Sequence, residues 1–138
     1  MKKNTRGFTL IELLVVIAII GLLATVVLAS LGVARAKARD ARRMSDIDSI
    51  KKALSIYITA SSSFPIVISP TILDGTDYAS TLLQTENLLP TIPRDPTSPA
   101  QDYSYSSTDG KAFNIHFCLE TTSIPGHTAD CTNTVSSN

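Results

Sequence analysis

Proline is absent from the start of this 138-residue chain, and all seven prolines lie at or after Pro65. Because proline breaks the hydrogen bonds of a helix interior, its absence permits one long helix in the first part of the chain. The chain has only two cysteines, Cys118 and Cys131, which allow a single intrachain disulfide. Its net charge is zero, so bulk charge gives no reason to expect a nucleic-acid partner.

The motifs of common enzymes are also missing. The sequence has no phosphate-binding glycine loop and no HExxH motif, and no nucleophile stands beside a partner base. Two histidines and two cysteines would together supply four zinc ligands, but their spacing fits no common zinc module (His116, Cys118, His127 and Cys131). A disulfide with two surface histidines is the preferred interpretation. The sequence therefore predicts a protein that is not an enzyme and has no cofactor.

The longest feature present is an apolar run, Leu13–Ala34, which contains 22 residues and no charge. About 20 such residues span a hydrocarbon core of roughly 30 Å. A removable signal or a simple membrane anchor would also explain the run, because small residues near its end resemble a cleavage site. However, Ile47, Ile50 and Leu54 continue a helical pattern beyond it, which predicts one helix over about Phe8–Ser61.

One acid, Glu12, stands at the start of the apolar run. A carboxylate in the middle of a membrane helix costs about 3 kcal/mol, and somewhat less near an end, so an unpaired acid would be poorly tolerated. Gly7 lies between the basic start of the chain and Phe8, where a protease would reach an unhindered backbone. These residues indicate a processed segment rather than a simple anchor.

The segment RGFTLIELLVVIAIIGLLA closely resembles the N-terminal segment of type IV prepilins and type II secretion pseudopilins. The resemblance implies that a membrane-embedded peptidase cuts after Gly7 and that Phe8, the new N-terminal residue, is then N-methylated. It also implies that Glu12 pairs with the charged Phe8 amine of a neighbouring subunit and fixes the register of assembly. A pairing of Glu12 with its own N-terminus is also feasible. The family usually carries a proline where this chain has Ala29, which leaves melting of the helix during assembly an open question.

From this resemblance we expect a structural subunit of an extracytoplasmic filament: a type IV pilus, a type II secretion pseudopilus or a DNA-uptake filament. Its partners would be copies of itself in a helical homopolymer, other minor pilins, the prepilin peptidase and N-methyltransferase, the inner-membrane assembly platform and membrane lipid. It would cross the cytoplasmic (inner) membrane once, with a cytoplasmic N-terminus before processing and an extracytoplasmic C-terminal domain. The alternative is an anchored surface domain that binds or senses a ligand and never polymerises.

Charge is distributed unevenly along the chain. Residues 35–52 carry seven basic and three acidic side chains, whereas residues 53–138 carry two basic and eight acidic ones. More basic residues follow the apolar run, in residues 35–52, than precede it. By the positive-inside rule this difference would place the C-terminal domain in the cytoplasm. Long domains translocate with less regard to charge, so we retain the extracytoplasmic placement. Because alanines are interleaved with the basic residues, we interpret RAKARDARR as a solvated helical face.

The expected fold is α+β and pilin-like, with a long N-terminal α-helix whose second half packs on a small antiparallel β-sheet. The predicted segments are a leader (1–7), a transmembrane and assembly helix (8–34), its amphipathic continuation (35–61) and a β-rich extracytoplasmic domain (62–138). Within that domain a short helix is expected before Pro90, and three prolines make IPRDPTSPAQD irregular.

The clearest β signal is the dipeptide Asp109-Gly110, which is typical of a hairpin turn between two alternating runs. Alternation predicts that one set of side chains faces the helix (Phe113, Ile115, Phe117 and Leu119) and that the other faces away (Asn114, His116, Cys118 and Glu120). The Pro-x-Asp-Pro motif before YSY is similar to a loop of major pseudopilins, whereas the Cys118–Cys131 segment resembles the disulfide loop of pilins. Because some major pseudopilins bind calcium in a C-terminal loop, Asp109, Glu120 and Asp130 are calcium candidates, although their spacing carries no calcium-loop signature.

Overall fold

The computed structural model describes residues 8–137, apart from the side chain of residue 29. Its elements in chain order are α1 (Leu10–Ser61), β1 (Val67–Ile72), α2 (Tyr78–Thr85), β2 (Ser104–Ser107), β3 (Asn114–Phe117) and β4 (Asn133–Ser136). They divide into two compact units, one ending at Arg35 and one beginning at Ala36. The expected α+β class, with a long N-terminal helix and a small antiparallel sheet, is confirmed.

The first unit contains the apolar start of α1. Its large apolar side chains between Phe8 and Val33 are 40–86% exposed, and they occur on all sides of the helix. The most apolar window of α1 has a mean hydropathy of 2.9, so by length and composition this helix can cross a membrane. A helix that is apolar all round needs lipid or other protein around it.

The core of the second unit forms where the later part of α1 packs on the sheet. Ile47, Ile50 and Leu54 are each at most 1% exposed, as the helical pattern predicted. The sheet side of this core is mostly aromatic and aliphatic (Tyr103, Tyr105, Phe113, Ile115, Phe117 and Leu119). The prediction that four of these side chains face the helix is therefore confirmed (Phe113, Ile115, Phe117 and Leu119).

The sheet has the order β1-β2-β3-β4, with every neighbouring pair antiparallel. The predicted turn joins β2 to β3, and Gly110 adopts a φ of +72° there. A Cβ atom at this position would lie 3.1 Å from the carbonyl oxygen of Phe64, so both the backbone conformation and the close approach favour glycine. The amide of Phe64 in turn donates to the Gly110 carbonyl at 2.8 Å.

The prediction for the end of β3 was wrong at Glu120, which does not face away from the helix. The strand ends at Phe117, so the alternation of side chains does not extend as far as Glu120, and this carboxylate bonds to Arg39 and Arg43 of α1. Strand β4 was not predicted at all. Its sequence NTVS has no apolar alternation, and its place in the sheet comes from pairing with β3.

A cluster of charged side chains surrounds Arg43, whose side chain is 0% exposed. Its guanidinium donates to both oxygens of Asp95, with Nε–Oδ2 at 2.7 Å and Nη2–Oδ1 at 3.0 Å. Its Nη1 atom donates to Asp40 and to Glu120, each at 2.8 Å. Arg43 thereby joins α1 to the proline-rich loop that contains Asp95 and to the segment after β3 that contains Glu120.

The cluster corrects the interpretation of RAKARDARR as a solvated face, because Asp40 and Arg43 are fully buried and Arg39 is half-buried. Arg39 forms an ion pair with Glu120. Asp40 accepts hydrogen bonds from the amides of Glu120 and Thr121 at 2.9 and 2.8 Å. Asp40 and Arg43 are three residues apart on α1, but the contacts of Asp40, Arg39 and Arg43 with the segment after β3 depend on the tertiary fold. The charge pattern alone therefore did not indicate that these residues are buried.

These contacts shift the pKa values of the carboxyl groups. The hydrogen bond from Arg39, with help from Arg43, lowers the pKa of Glu120 to about 2. Burial raises the pKa of Asp40 and of Asp95, but hydrogen bonds from neighbouring amides, hydroxyls and Arg43 outweigh it and hold both below the usual value. Burial raises the pKa of Asp46, and the hydroxyl of Tyr103, which donates to it at 3.0 Å, opposes that shift only in part.

Replacing Arg43 by methionine should destabilise the second unit by about 3–5 kcal/mol, because the buried carboxylates of Asp40 and Asp95 lose their cation. The matched control is Arg42→Met at the next position, where the side chain is 67% exposed and lies 4.0 Å from Asp46. The control should change stability by less than about 1 kcal/mol. Urea unfolding of the full chain in detergent, followed by the near-ultraviolet circular dichroism of its tyrosines, measures both. Equal losses would contradict the structural role of Arg43.

Acidification should destabilise the same unit. Glu120 has a folded pKa of about 2 against an ordinary 4.5, so the unfolded chain binds its proton first as pH falls. The stabilisation should be complete above about pH 5 and should be lost progressively from about 4.5 to 2, and Asp40 and Asp95 act in the same direction. Urea unfolding across this range tests it, with Glu120→Gln as the comparison. That variant should be less stable at neutral pH and should show a shallower fall; identical slopes would exclude Glu120 as a source.

Candidate assembly segment and C-terminal loop

Helix α1 begins with a reciprocal pair of hydrogen bonds between Thr9 and Glu12. The Thr9 hydroxyl accepts from the amide of Glu12 at 3.3 Å, and the Glu12 carboxylate accepts from the amide of Thr9 at 2.8 Å. The same carboxylate oxygen, Oε2, also accepts from the Thr9 hydroxyl at 2.7 Å. This arrangement is a capping box, which satisfies amide groups that the first turn of a helix leaves without partners. The sequence carries its signature, Thr-x-x-Glu, and the sequence analysis missed it.

The capping box orients Glu12 without neutralising its charge. Within residues 8–137 no cationic side chain pairs with Glu12, and its hydrogen bonds from Thr9 all end on Oε2. The carboxylate is exposed and borders an open apolar groove lined by Phe8, Ile11, Val15 and Val16. The arrangement can therefore receive a cation at its second oxygen. Gly7 lies outside the described residues, so the predicted cleavage junction has no structural description on its leader side.

Helix α1 continues without interruption through position 29, where the resembled family usually has proline. Gly21 and Gly32 also lie within the helix, and a Cβ atom at either position would meet nothing within 4 Å. Each glycine weakens the helix by about 1 kcal/mol relative to alanine. The described helix therefore has two glycine weak points but no proline break.

The C-terminal loop, residues 118–133, is closed by a disulfide between Cys118 and Cys131, and this predicted pairing is confirmed. Asn133, 5% exposed, bonds to the same loop through every polar atom of its side chain. Its Nδ2 donates to the carbonyls of Thr128 and Asp130, each at 2.9 Å. Its Oδ1 accepts from the amide of Thr128 at 3.0 Å and lies 3.2 Å from Nδ1 of His127. Nothing in the sequence pattern singled out this asparagine.

The three calcium candidates lie in different surroundings. Asp109 accepts from the amide of Lys111 at 3.0 Å in the β2–β3 turn, Glu120 pairs with Arg39 and Arg43, and Asp130 accepts from Thr128 and Thr132. In the part of the chain that the structure describes, no three His, Cys, Asp or Glu side chains form a metal-binding group. The two histidines also differ from the expected surface pair, because both are half-buried and His127 packs edge-on against Phe117 with ring centroids 5.4 Å apart.

The N-terminal segment matches a known family model. Residues 2–28 match the model described as the prokaryotic N-terminal methylation motif. Over 38 residues, 28% of this chain and 29% of the relative, the sequence is 58% identical to the type IV wide pilus major component PilA4 of Thermus thermophilus. No solved structure matches the chain significantly.

Longer alignments reach the second unit. The type II secretion system core protein G of Dickeya chrysanthemi is 30% identical over 105 residues, which are 76% of this chain but only 57% of that protein. The chain thus spans little more than half the length of this relative. The core protein G of Vibrio cholerae serotype O1 is 31% identical over 119 residues, 80% of this chain and 76% of that protein. On this similarity the chain belongs to the family of the type II secretion system core protein G.

Proposed function

We propose that this chain is a non-enzymatic structural subunit of a pseudopilus-like filament of the type II secretion kind. It is made as a membrane-anchored precursor, cut after Gly7 and methylated on Phe8, and it then polymerises with copies of itself. The observation that carries the proposal is the start of α1. There an exposed, capped Glu12 has no cationic partner among residues 8–137 and stands on a helix that is apolar all round. Such a helix suits a bundle of copies, in which each carboxylate meets the amine of a neighbour.

The similarity favours the secretion filament over a pilus. The match to the Thermus pilus component covers only 28% of the chain and lies within the segment that pilins and pseudopilins share. The alignments to core protein G extend over three quarters or more of the chain and include the second unit. Membership of the core protein G family therefore accounts for the similarity outside the shared N-terminal segment.

The proposed location is the cytoplasmic membrane before assembly and an extracytoplasmic filament afterwards. Leu13–Ala34 would span the membrane, and the second unit would lie outside, where an oxidising environment keeps the Cys118–Cys131 disulfide closed. The proposed partners are the prepilin peptidase and N-methyltransferase, the inner-membrane assembly platform, minor pilins and membrane lipid.

Replacing Gly7 by valine should block processing, because a branched side chain hinders access to the bond before Phe8. The intact mass of the membrane-extracted protein should then retain residues 1–7 and lack the added methyl group. Gly21→Ala is the control, since a Cβ atom there meets nothing within 4 Å, and it should be processed normally. Mature, methylated protein from Gly7→Val would show that the junction is misassigned.

Replacing Glu12 by alanine should leave membrane insertion and cleavage intact, because it removes an acid that costs about 3 kcal/mol at mid-membrane. It should abolish or sharply shorten filaments, because a neighbour's Phe8 amine would be left uncompensated at about 3–5 kcal/mol for each subunit added. The measurements are the yield of sheared filaments, electron microscopy and an immunoblot of the membrane fraction.

Glu12→Gln separates the two roles of this side chain. Glutamine keeps an oxygen for the capping hydrogen bonds with Thr9, but it carries no charge. If the charge fixes the register, Glu12→Gln should assemble as poorly as Glu12→Ala. Normal-length filaments from the glutamine variant would reduce the role of Glu12 to helix capping. Normal filaments from both variants would show that assembly does not depend on this residue.

A further inference from the structure

We propose that the C-terminal loop of this chain is closed by its disulfide and by the side-chain amide of Asn133 in place of a metal ion, so that the stability of the second unit depends on oxidation and not on calcium. Calcium binding in a C-terminal loop is what the resemblance to major pseudopilins implies, and the residues present here do not fit that ion. The proposal concerns the folding of one subunit and does not depend on filament formation.

The two acids of the loop, Glu120 and Asp130, are engaged by donors from the protein. Glu120 accepts from Arg39 and Arg43, with Oε1 at 2.7 Å from Arg39 Nε and 2.8 Å from Arg43 Nη1. A calcium ion at this carboxylate would stand beside two guanidinium groups, and like charges at this range repel strongly in partly buried surroundings. Glu120 thus pairs with Arg39 and Arg43, and a calcium ion would have to displace these two side chains.

Asp130 accepts hydrogen bonds from Thr128 and Thr132, two residues before and after it. Its Oδ1 accepts from the Thr132 amide at 2.8 Å, from the Thr132 hydroxyl at 2.6 Å and from the Thr128 hydroxyl at 2.9 Å. Its backbone carbonyl accepts from the amide of Leu119 at 2.9 Å and from Asn133 Nδ2 at 2.9 Å, which uses both lone pairs. Asp130 Oδ2 receives no donor from the described residues, but calcium needs six to eight oxygen ligands. The other converging oxygens, Asp130 Oδ1 and the carbonyls of Thr128 and Asp130, already accept from N–H and O–H donors.

The Asn133 amide makes the cross-links that a cation would otherwise make. A bound ion would gather the carbonyls of Thr128 and Asp130 around one positive centre, whereas here the two N–H groups of Asn133 gather them. An aspartate at this position would have no N–H to donate. Buried at 5% exposure and bonded through both Nδ2 and Oδ1, Asn133 fixes the loop from the start of β4.

The disulfide supplies the second closure. It joins the residue after β3 to a residue two positions before β4, across a sequence separation of 13. Constraining the unfolded chain over a loop of this size lowers the unfolding equilibrium constant on the order of a hundredfold in the chain-entropy model. Cys131 is exposed and Cys118 is half-buried, so a reductant in solution can reach the bond.

The test uses the full chain in detergent, before assembly. Its thermal midpoint is measured with calcium chloride and with excess EGTA, and calcium binding is titrated directly by calorimetry. The expected results are identical midpoints, no binding heat and no free thiol on labelling under denaturing, non-reducing conditions. A calcium-dependent rise in the midpoint, saturable binding heat or two labelled thiols would overturn the proposal.

Two variants test the closures separately. The double variant Cys118→Ser/Cys131→Ser should unfold with a constant raised about a hundredfold, and calcium should restore none of that loss. Asn133→Ala should raise the constant about tenfold or more, because buried carbonyls lose their donors, and Asn114→Ala on the exposed face of β3 is its control. Rescue of either variant by calcium, or equal effects of the two asparagine changes, would overturn the proposal. If the double variant does not fold, the calcium titration of the unaltered chain still decides the question.

Discussion

The Arg43 guanidinium is completely removed from water, and its charge must therefore be balanced by the carboxylates around it. Asp40 comes from the same helix, Asp95 from the proline-rich loop and Glu120 from the segment after β3. One side chain thus fixes three parts of the chain that are far apart in sequence. The irregular loop IPRDPTSPAQD has no strand or helix to hold it, and the Asp95–Arg43 pair holds it in place of regular backbone hydrogen bonding. The disulfide and Asn133 then act on a loop whose first turn the cluster already positions.

The acidic side chains of the two units have different kinds of partners. In the second unit, the buried carboxylates of Asp40 and Asp95 accept hydrogen bonds from Arg43 and from amides of the same chain. At the start of α1, Glu12 receives hydrogen bonds from Thr9 but no cation from the described residues. A cation for this oriented carboxylate would come from the chain's own N-terminus or from a neighbouring subunit.

Local patterns predicted the elements that depend on neighbouring residues. The helical stripe of Ile47, Ile50 and Leu54, the turn at Asp109-Gly110 and the Cys118–Cys131 pair follow from spacing, turn chemistry and cysteine count. The Arg43 cluster, the direction of Glu120 and the role of Asn133 do not, because each depends on segments that only the tertiary fold brings together. The Thr9–Glu12 capping box could have been predicted from the sequence, because its signature spans only four residues.

One edge of the sheet affects how copies of this chain behave when crowded. Strand β1 forms one edge of the sheet and β4 forms the other, and the pairing of β1 with β2 is irregular between Val67 and Thr71. Pro70 lies in the irregular stretch and has no amide hydrogen to offer a foreign strand. Exposed edges are templates for amyloid-like association unless a proline or a bulge interrupts them. The proline and the irregular pairing therefore discourage association of crowded copies through the β1 edge.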